Sequence, residues 1–208
     1  MRMLLPAVLT FFLTAAVGHA AEYAAGVHYE ALGKPQPVQT GDNIEVREMF
    51  WYGCPHCYRL EPYIHKWLET KPENAEYIAM PAILSDGWAV HGQAFYTFET
   101  LGILDQVHTP FFDAIHKDRK RFRTAKEIAD WVPQFGIDSS AFMDTFDSFA
   151  VDSKMRQSQV MAERYEIDSV PNIIVDGKFR TSVTMAGSND ALIDVINFLV
   201  DKSAQERQ

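Results

Sequence analysis

Cysteine is nearly absent: the 208-residue chain has two, Cys54 and Cys57, and they stand three positions apart. A disulfide scaffold of the kind that holds small secreted domains together is thereby excluded, because a bridge closing so short a loop removes little entropy from the unfolded chain. A second CxxC is also missing. A structural zinc takes four ligands, so remote histidines would have to complete any metal set built on this pair. Covalent haem attachment needs a histidine directly after the second cysteine, and Tyr58 is there instead. Basic residues are in deficit, 19 Lys and Arg against 28 Asp and Glu, for a formal charge of -9. A chain of that sign is not built to hold nucleic acid phosphates. Fixed-period repeats, low-complexity tracts and long linkers are lacking too. With 47% hydrophobic and 23% charged residues, the composition is that of a folded globular chain and not of a disordered one.

What is present begins with a segment that reads as an address. Arg2 precedes an uncharged, mostly apolar run from Leu4 to Val17, followed by Gly18-His19-Ala20. The run is shorter than the roughly 18 apolar residues that a bilayer span needs, and Pro6 interrupts its start. A secretory signal peptide over residues 1–20, cleaved after Ala20, is the expectation, with a retained anchor as the alternative. No cysteine follows the cut, which argues against a lipid anchor. The remainder has the length of one domain carrying an insertion. Export would place the two cysteines in oxidising surroundings, and since their bridge could do little for stability, its purpose is chemical.

Along the chain, Tyr29 to Leu32 reads as an edge strand and Ile44 to Phe50 as a core strand with Ile44, Val46, Glu48 and Phe50 on one face. Glu48 is the odd member of that face. A helix starts at once, with Pro55 in its first turn, Pro62 as a kink, and Cys57, Leu60, Ile64, Trp67 and Leu68 as its buried stripe. Glu76 to Met80 is a second strand, which makes a βαβ unit. From Gly87 to Tyr165 the periodicity is helical. One helix carries Phe95, Phe98 and Leu101, and another is expected to begin at Thr109-Pro110. A third is capped by Thr124 with Glu127 and buries Ile128, Trp131, Val132 and Phe135. Two more carry Phe142, Phe146 and Phe149, then Met155, Met161, Ala162 and Tyr165, all at the spacing that core packing requires. Asn172 to Val175, the turn Asp176-Gly177 and Lys178 to Arg180 form a hairpin, and a helix from Asn189 to Val200 closes the chain. The expected fold is α/β, with residues 21–86 and 166–208 as the sheet domain and 87–165 as an inserted all-helical subdomain.

Cys54 falls where strand gives way to helix, so free backbone N–H groups and the positive end of the helix dipole point at its sulfur and favour the thiolate. His56 adds a donor or a positive charge, and Pro55 fixes the backbone. Cys57, one turn further in on the apolar stripe, should be shielded and keep a higher pKa. Cys54 is therefore expected to be the exposed sulfur that a substrate thiolate attacks, and Cys57 the resolving one. Two readings of Glu48 stand: a buried acid that passes a proton to or from Cys57, or one half of an ion pair. The basic run from Lys117 to Arg123 is read as solvated charge between two helices rather than as an anion site.

The stretch Phe50-Trp51-Tyr52-Gly53-Cys54-Pro55-His56-Cys57-Tyr58, the helical block and Val170-Pro171 before the next strand together resemble the thiol:disulfide interchange protein DsbA family. The resemblance covers essentially all of the chain after the leader and implies a thioredoxin-like fold with a helical insertion. It further implies a cis bond at Val170-Pro171 facing the cysteines, the Val170 backbone as a pairing edge for extended substrate, and the proton-relay role for Glu48. The Pro-His pair between the cysteines resembles the oxidising members. The implied function is a periplasmic, monomeric protein-thiol oxidase that acts on unfolded or folding exported proteins and is reoxidised by a DsbB-type quinone-linked membrane protein. No cofactor, metal or nucleic acid is called for. The rival readings are a disulfide isomerase or reductase using the same pair, and a periplasmic metal carrier.

Overall fold

The computed structural model describes residues 23–208; the leader expected over residues 1–20 lies outside the described residues. Among the described residues five strands form one mixed sheet: β1 (Glu30–Ala31), β2 (Ile44–Phe50), β3 (Ala75–Pro81), β4 (Asn172–Val175) and β5 (Phe179–Thr181), in the order β1-β5-β4-β2-β3. Strands β2 and β3 run parallel, joined by helix α1 (Pro55–Thr70), and the remaining pairs are antiparallel. Between β3 and β4 come α2 (Asp86–Thr100), α3 (Leu104–His116), α4 (Ala125–Ala129), a 3-10 turn over Val132–Phe135, α5 (Ser139–Phe146) and α6 (Phe149–Arg164). The chain closes with the short α7 (Val183–Ala186), not foreseen from the sequence, and α8 (Asn189–Glu206), which is capped by Ser188 and runs well past Val200. This is a thioredoxin-like fold with its helical insertion. Among the described residues no helix is long and apolar enough to cross a membrane.

Strand β2 is buried on both faces, as its central place demands. Ile44 and Val46 pack with Leu60, Ile64 and Trp67 of α1 and with Leu192, Val195, Ile196 and Leu199 of α8. The opposite face carries Glu45, Arg47 and Met49. Glu45 and Arg47 form an ion pair of 2.7 Å that is almost wholly excluded from water, and Arg47 also lies against Met80 Sδ. Met49, Met80 and Ile174 then pack on Met161, Ala162 and Tyr165 at the end of α6.

Several expectations are corrected. The helix foreseen at Thr109-Pro110 starts five residues earlier, at Leu104, and Pro110 sits inside it. The buried stripe Val107, Phe111 and Ala114 sets the register, and a single lost N–H is outweighed by that packing. The helix capped by Thr124 and Glu127 forms its reciprocal capping box but ends at Ala129, where a 3-10 turn replaces it and leaves Phe135 half-buried. Phe149 is 80% exposed: as the first residue of α6, directly after the Ser148 cap, it points away from the core that Phe142 and Phe146 enter. Leu68, expected in the buried α1 stripe, is 37% exposed at its end.

Candidate active site

Strand β2 delivers the chain at Phe50, the turn Trp51-Tyr52-Gly53 follows, and Cys54 is the N-cap of α1 with extended backbone angles. A serine or aspartate at this position would accept hydrogen bonds from the backbone N–H groups two and three residues on. Here the sulfur takes that place. The Cys57 thiol donates to it, the N–H groups of Cys57 and His56 point at it, and the His56 ring adds its field. Together these outweigh partial burial and bring the Cys54 pKa down from 9.0 to about 6. Pro55 at the first helical position has no N–H to leave unpaired.

Cys54 is far less open than the sequence suggests: the residue is 6% exposed, and its Sγ lies 3.4 Å from the carbonyl oxygen of Val170. The reason is the loop before β4, where the Val170-Pro171 peptide is cis and lies over the sulfur. Cys57 is fully buried, and its pKa is pushed well above the ordinary thiol value, first by desolvation and then by its hydrogen bond to Cys54 and the nearby Glu48. The two sulfurs, which are not bridged to each other here, thus differ sharply in acidity.

Glu48 is 2% exposed beneath the pair, between Ala79 of β3 and Ile173 of β4. Its pKa is raised from 4.5 to about 8 by desolvation and by the charge of Glu61, while a 2.6 Å hydrogen bond donated by the Tyr77 hydroxyl works the other way. Among the described residues no lysine or arginine pairs with it; its partner is the Tyr77 hydroxyl. His56 is exposed, with Arg59 Nη2 2.9 Å from its Nδ1.

Residues that sequence reasoning missed complete the surroundings. Glu61, one turn beyond Cys57 on α1, lies within 3.1 Å of His65 Nε2 and 3.4 Å of His108 Nε2 on α3. The Tyr52 hydroxyl is 2.7 Å from the other nitrogen of His108. Glu61, His65, His108 and Tyr77 line a recess of 540 Å³ on that side of α1. On the other side Trp51 stacks on Trp88 at 4.3 Å, Tyr58 stacks on His116, and His116 Nε2 is 2.8 Å from the Tyr52 carbonyl. Only the spacing of Glu61 from Cys57 on one helix was readable in the sequence. Among the described residues, no group of three or more His, Cys, Asp or Glu side chains is arranged to hold a metal ion.

A paired thiolate and buried thiol, with a protonatable acid beneath them, can exchange disulfides with other thiols. Comparison with known proteins agrees. The family model described as the DSBA-like thioredoxin domain matches residues 83–192. The thiol:disulfide interchange protein DsbA of Pseudomonas aeruginosa is 39% identical over 181 residues, 87% of this chain and 86% of that protein. Its namesake from Azotobacter vinelandii is 40% identical over 187 residues, 89% of this chain and 87% of that one. The crystal structure of Pseudomonas aeruginosa DsbA superimposes with a TM-score of 0.85 at 38% identity, covering 89% of this chain and 97% of the other.

Proposed function

The chain belongs to the DsbA family of thiol:disulfide interchange proteins and is a thiol:disulfide oxidoreductase; from that premise we propose that it is a periplasmic protein-thiol oxidase that donates its Cys54-Cys57 disulfide to newly exported proteins. Residues 1–20 serve as the secretory signal, cleaved after Ala20, and the mature chain works as a monomer. Residues 21–86 and 166–208 form the thioredoxin-like domain and 87–165 the inserted helical subdomain.

One observation carries the reading: the opposite shifts of the two sulfurs. A substrate thiolate attacks Sγ of Cys54 in the oxidised pair, the Cys54–Cys57 bond breaks, and its electron pair leaves on Cys57. Because Cys57 is buried and basic, it takes a proton at once, and Glu48, held neutral by burial, is the group beneath it that can supply one. A second substrate thiolate then attacks the substrate sulfur of the mixed disulfide and expels Cys54 as a thiolate. The substrate has lost two electrons and the protein is left as the dithiol. A DsbB-type quinone-linked membrane protein removes those electrons and restores the disulfide.

Direction follows from acidity. Each pKa unit is about 1.4 kcal/mol, so a shift from 9.0 to about 6 favours the Cys54 thiolate by roughly 4 kcal/mol when the pH is high enough to ionise both reference and folded thiol. That stabilises the reduced protein and makes Cys54 a good leaving group. Pro55 and His56 shape the turn and field that produce the shift, while Val170 and Pro171 present a carbonyl edge against which an extended substrate can lie.

Equilibration with glutathione over a range of pH tests this. The potential should lie well positive of the roughly -270 mV of a thioredoxin. Its slope should change from about 59 to about 30 mV per pH unit near pH 6, because reduction takes up two protons below the Cys54 pKa and one above it. A thioredoxin-like potential, or an unbroken two-proton slope up to pH 8, would remove the oxidase reading.

A further inference from the structure

The basic run from Lys117 to Arg123 is, as the sequence suggests, exposed charge between two helices, and it is also ordered. Lys117, Arg119, Lys120, Arg121 and Arg123 lie in the connection between α3 and α4, and all five are exposed. Lys117 is paired with Asp113, whereas Arg119, Lys120, Arg121 and Arg123 make no ion pair among the described residues. The loop is nevertheless held in place. Phe122, 3% exposed, turns inward to stack on Phe111 at 4.7 Å and to meet the edge of Trp131. The Arg121 carbonyl is 3.2 Å from His91 Nε2, and Arg119 and Phe122 both adopt positive φ, so the chain is bent to bring the arginines outward around one buried ring.

Arg119, Lys120, Arg121 and Arg123 line a 590 Å³ groove together with Trp51, His91 and His116, and Gly53 and Pro55, the chain neighbours of Cys54, line it too. Cations lining the same groove as the neighbours of Cys54 contrast with a chain whose formal charge is -9. Two polar atoms in the same wall, the Trp51 Nε1 donor and the His91 Nδ1 acceptor, are buried without partners among the described residues. A peptide group brings one acceptor and one donor, the two kinds of partner these atoms lack.

We propose that this groove receives the polypeptide flanking a client's cysteine and selects segments rich in Asp and Glu, the loop arginines drawing the segment in while its cysteine meets Cys54. The inference rests on the oxidase reading and adds a substrate preference to it. Preorganised cations at a cleft raise encounter rates with anions, in a manner that salt abolishes.

The oxidised full-length mature protein is mixed with two-cysteine peptides flanked by Asp, by Asn or by Lys, and disulfide transfer is followed by stopped-flow fluorescence. Each rate is divided by that of the same peptide with a neutral disulfide reagent, because flanking acids alter the thiol itself. The normalised Asp rate should exceed the Asn rate by roughly tenfold at low ionic strength, with Lys slowest, and the ratio should collapse in high salt. In the double variant Arg119→Gln, Arg121→Gln the ratio should approach one, while Lys34→Gln, on a distant exposed loop, keeps it. Equal Asp and Asn rates in the native protein, or a ratio indifferent to salt and to the double variant, overturn the proposal. If no peptide is oxidised the oxidase reading falls instead. Binding to anionic vesicles that the double variant loses, without any peptide preference, would assign the loop to a membrane surface and likewise overturn it.

Discussion

A carboxylic acid placed under two sulfurs and away from water is held at a cost, and Glu48 lets that cost be measured. Its pKa rises from 4.5 to about 8 through desolvation and the Glu61 charge, so between those values the folded protein holds a proton that the unfolded chain releases. Stability therefore falls as pH rises from 4.5 toward 8. Glu48→Gln carries no such proton. In urea titrations of the reduced protein the variant should be more stable by about 3 kcal/mol at pH 7, with the gain shrinking to nearly nothing at pH 4.5. A gain that is flat with pH would mean that the carboxyl is not held neutral. The same substitution should slow release of Cys57 during disulfide transfer, so stability and rate move in opposite directions, which a purely structural residue does not do. Cys54, Cys57 and Glu48 stand out in the sequence because each breaks a local pattern: a lone CxxC at a strand-helix junction and an acid on an apolar strand face. Glu61 and His108 break none. They meet only because α3 folds back over α1, and no local rule places residue 108 beside residue 61.

Elements whose boundaries are set by local chemistry were legible, and those set by tertiary packing were not. Strands β2 and β4 form over the residues their composition marks, and the capping box at Thr124 forms as spelled. Thr109-Pro110 is the counterexample, since the same dipeptide suits a first turn or an interior tolerated for the sake of Val107 and Phe111. The β4–β5 turn combines both levels. Asp176 and Gly177 both have positive φ, as the dipeptide predicts, but Gly177 has a second duty: a Cβ there would collide with the Gln36 carbonyl oxygen, where the loop after β1 crosses the turn. The Gln36 N–H donates to the Gly177 carbonyl at 2.8 Å, which fixes that crossing. Gly177→Ala must therefore bear the left-handed penalty of roughly 1–2 kcal/mol and also push the crossing loop away. Urea unfolding should show a loss of at least about 1–2 kcal/mol. Asp176→Gly relieves positive φ but surrenders the bonds from Arg207 and Lys178, so it should not restore the loss.

At the scale of the whole molecule, the helical block and the sheet are joined through the active site rather than merely adjacent to it. A single apolar cluster runs from Phe50, Tyr52, Cys54 and Cys57 into Phe95, Phe98, Phe111, Phe112, Trp131 and Phe142. Tyr52 alone packs edge-on against Phe111 and Phe112 at 4.7 Å, so the turn that positions Cys54 is seated on α3. A boundary that crosses a shared core cannot melt without exposing both sides, and the two parts should unfold together. Fluorinated tryptophan reports this without any substitution. The four tryptophans give separate probes, Trp67 on α1 against the sheet and Trp131 within the helical block. Their fluorine resonances should lose intensity at one urea midpoint. Phe111→Ala, which empties a fully buried site touching Tyr52, Phe98, Phe122 and Trp131, should cost about 3–5 kcal/mol and move both midpoints by the same amount. A Trp131 transition that separates from Trp67 and alone responds to Phe111→Ala would show instead that the helical block is an independent unit, and that the seating of the Cys54 turn on α3 is not what couples the two.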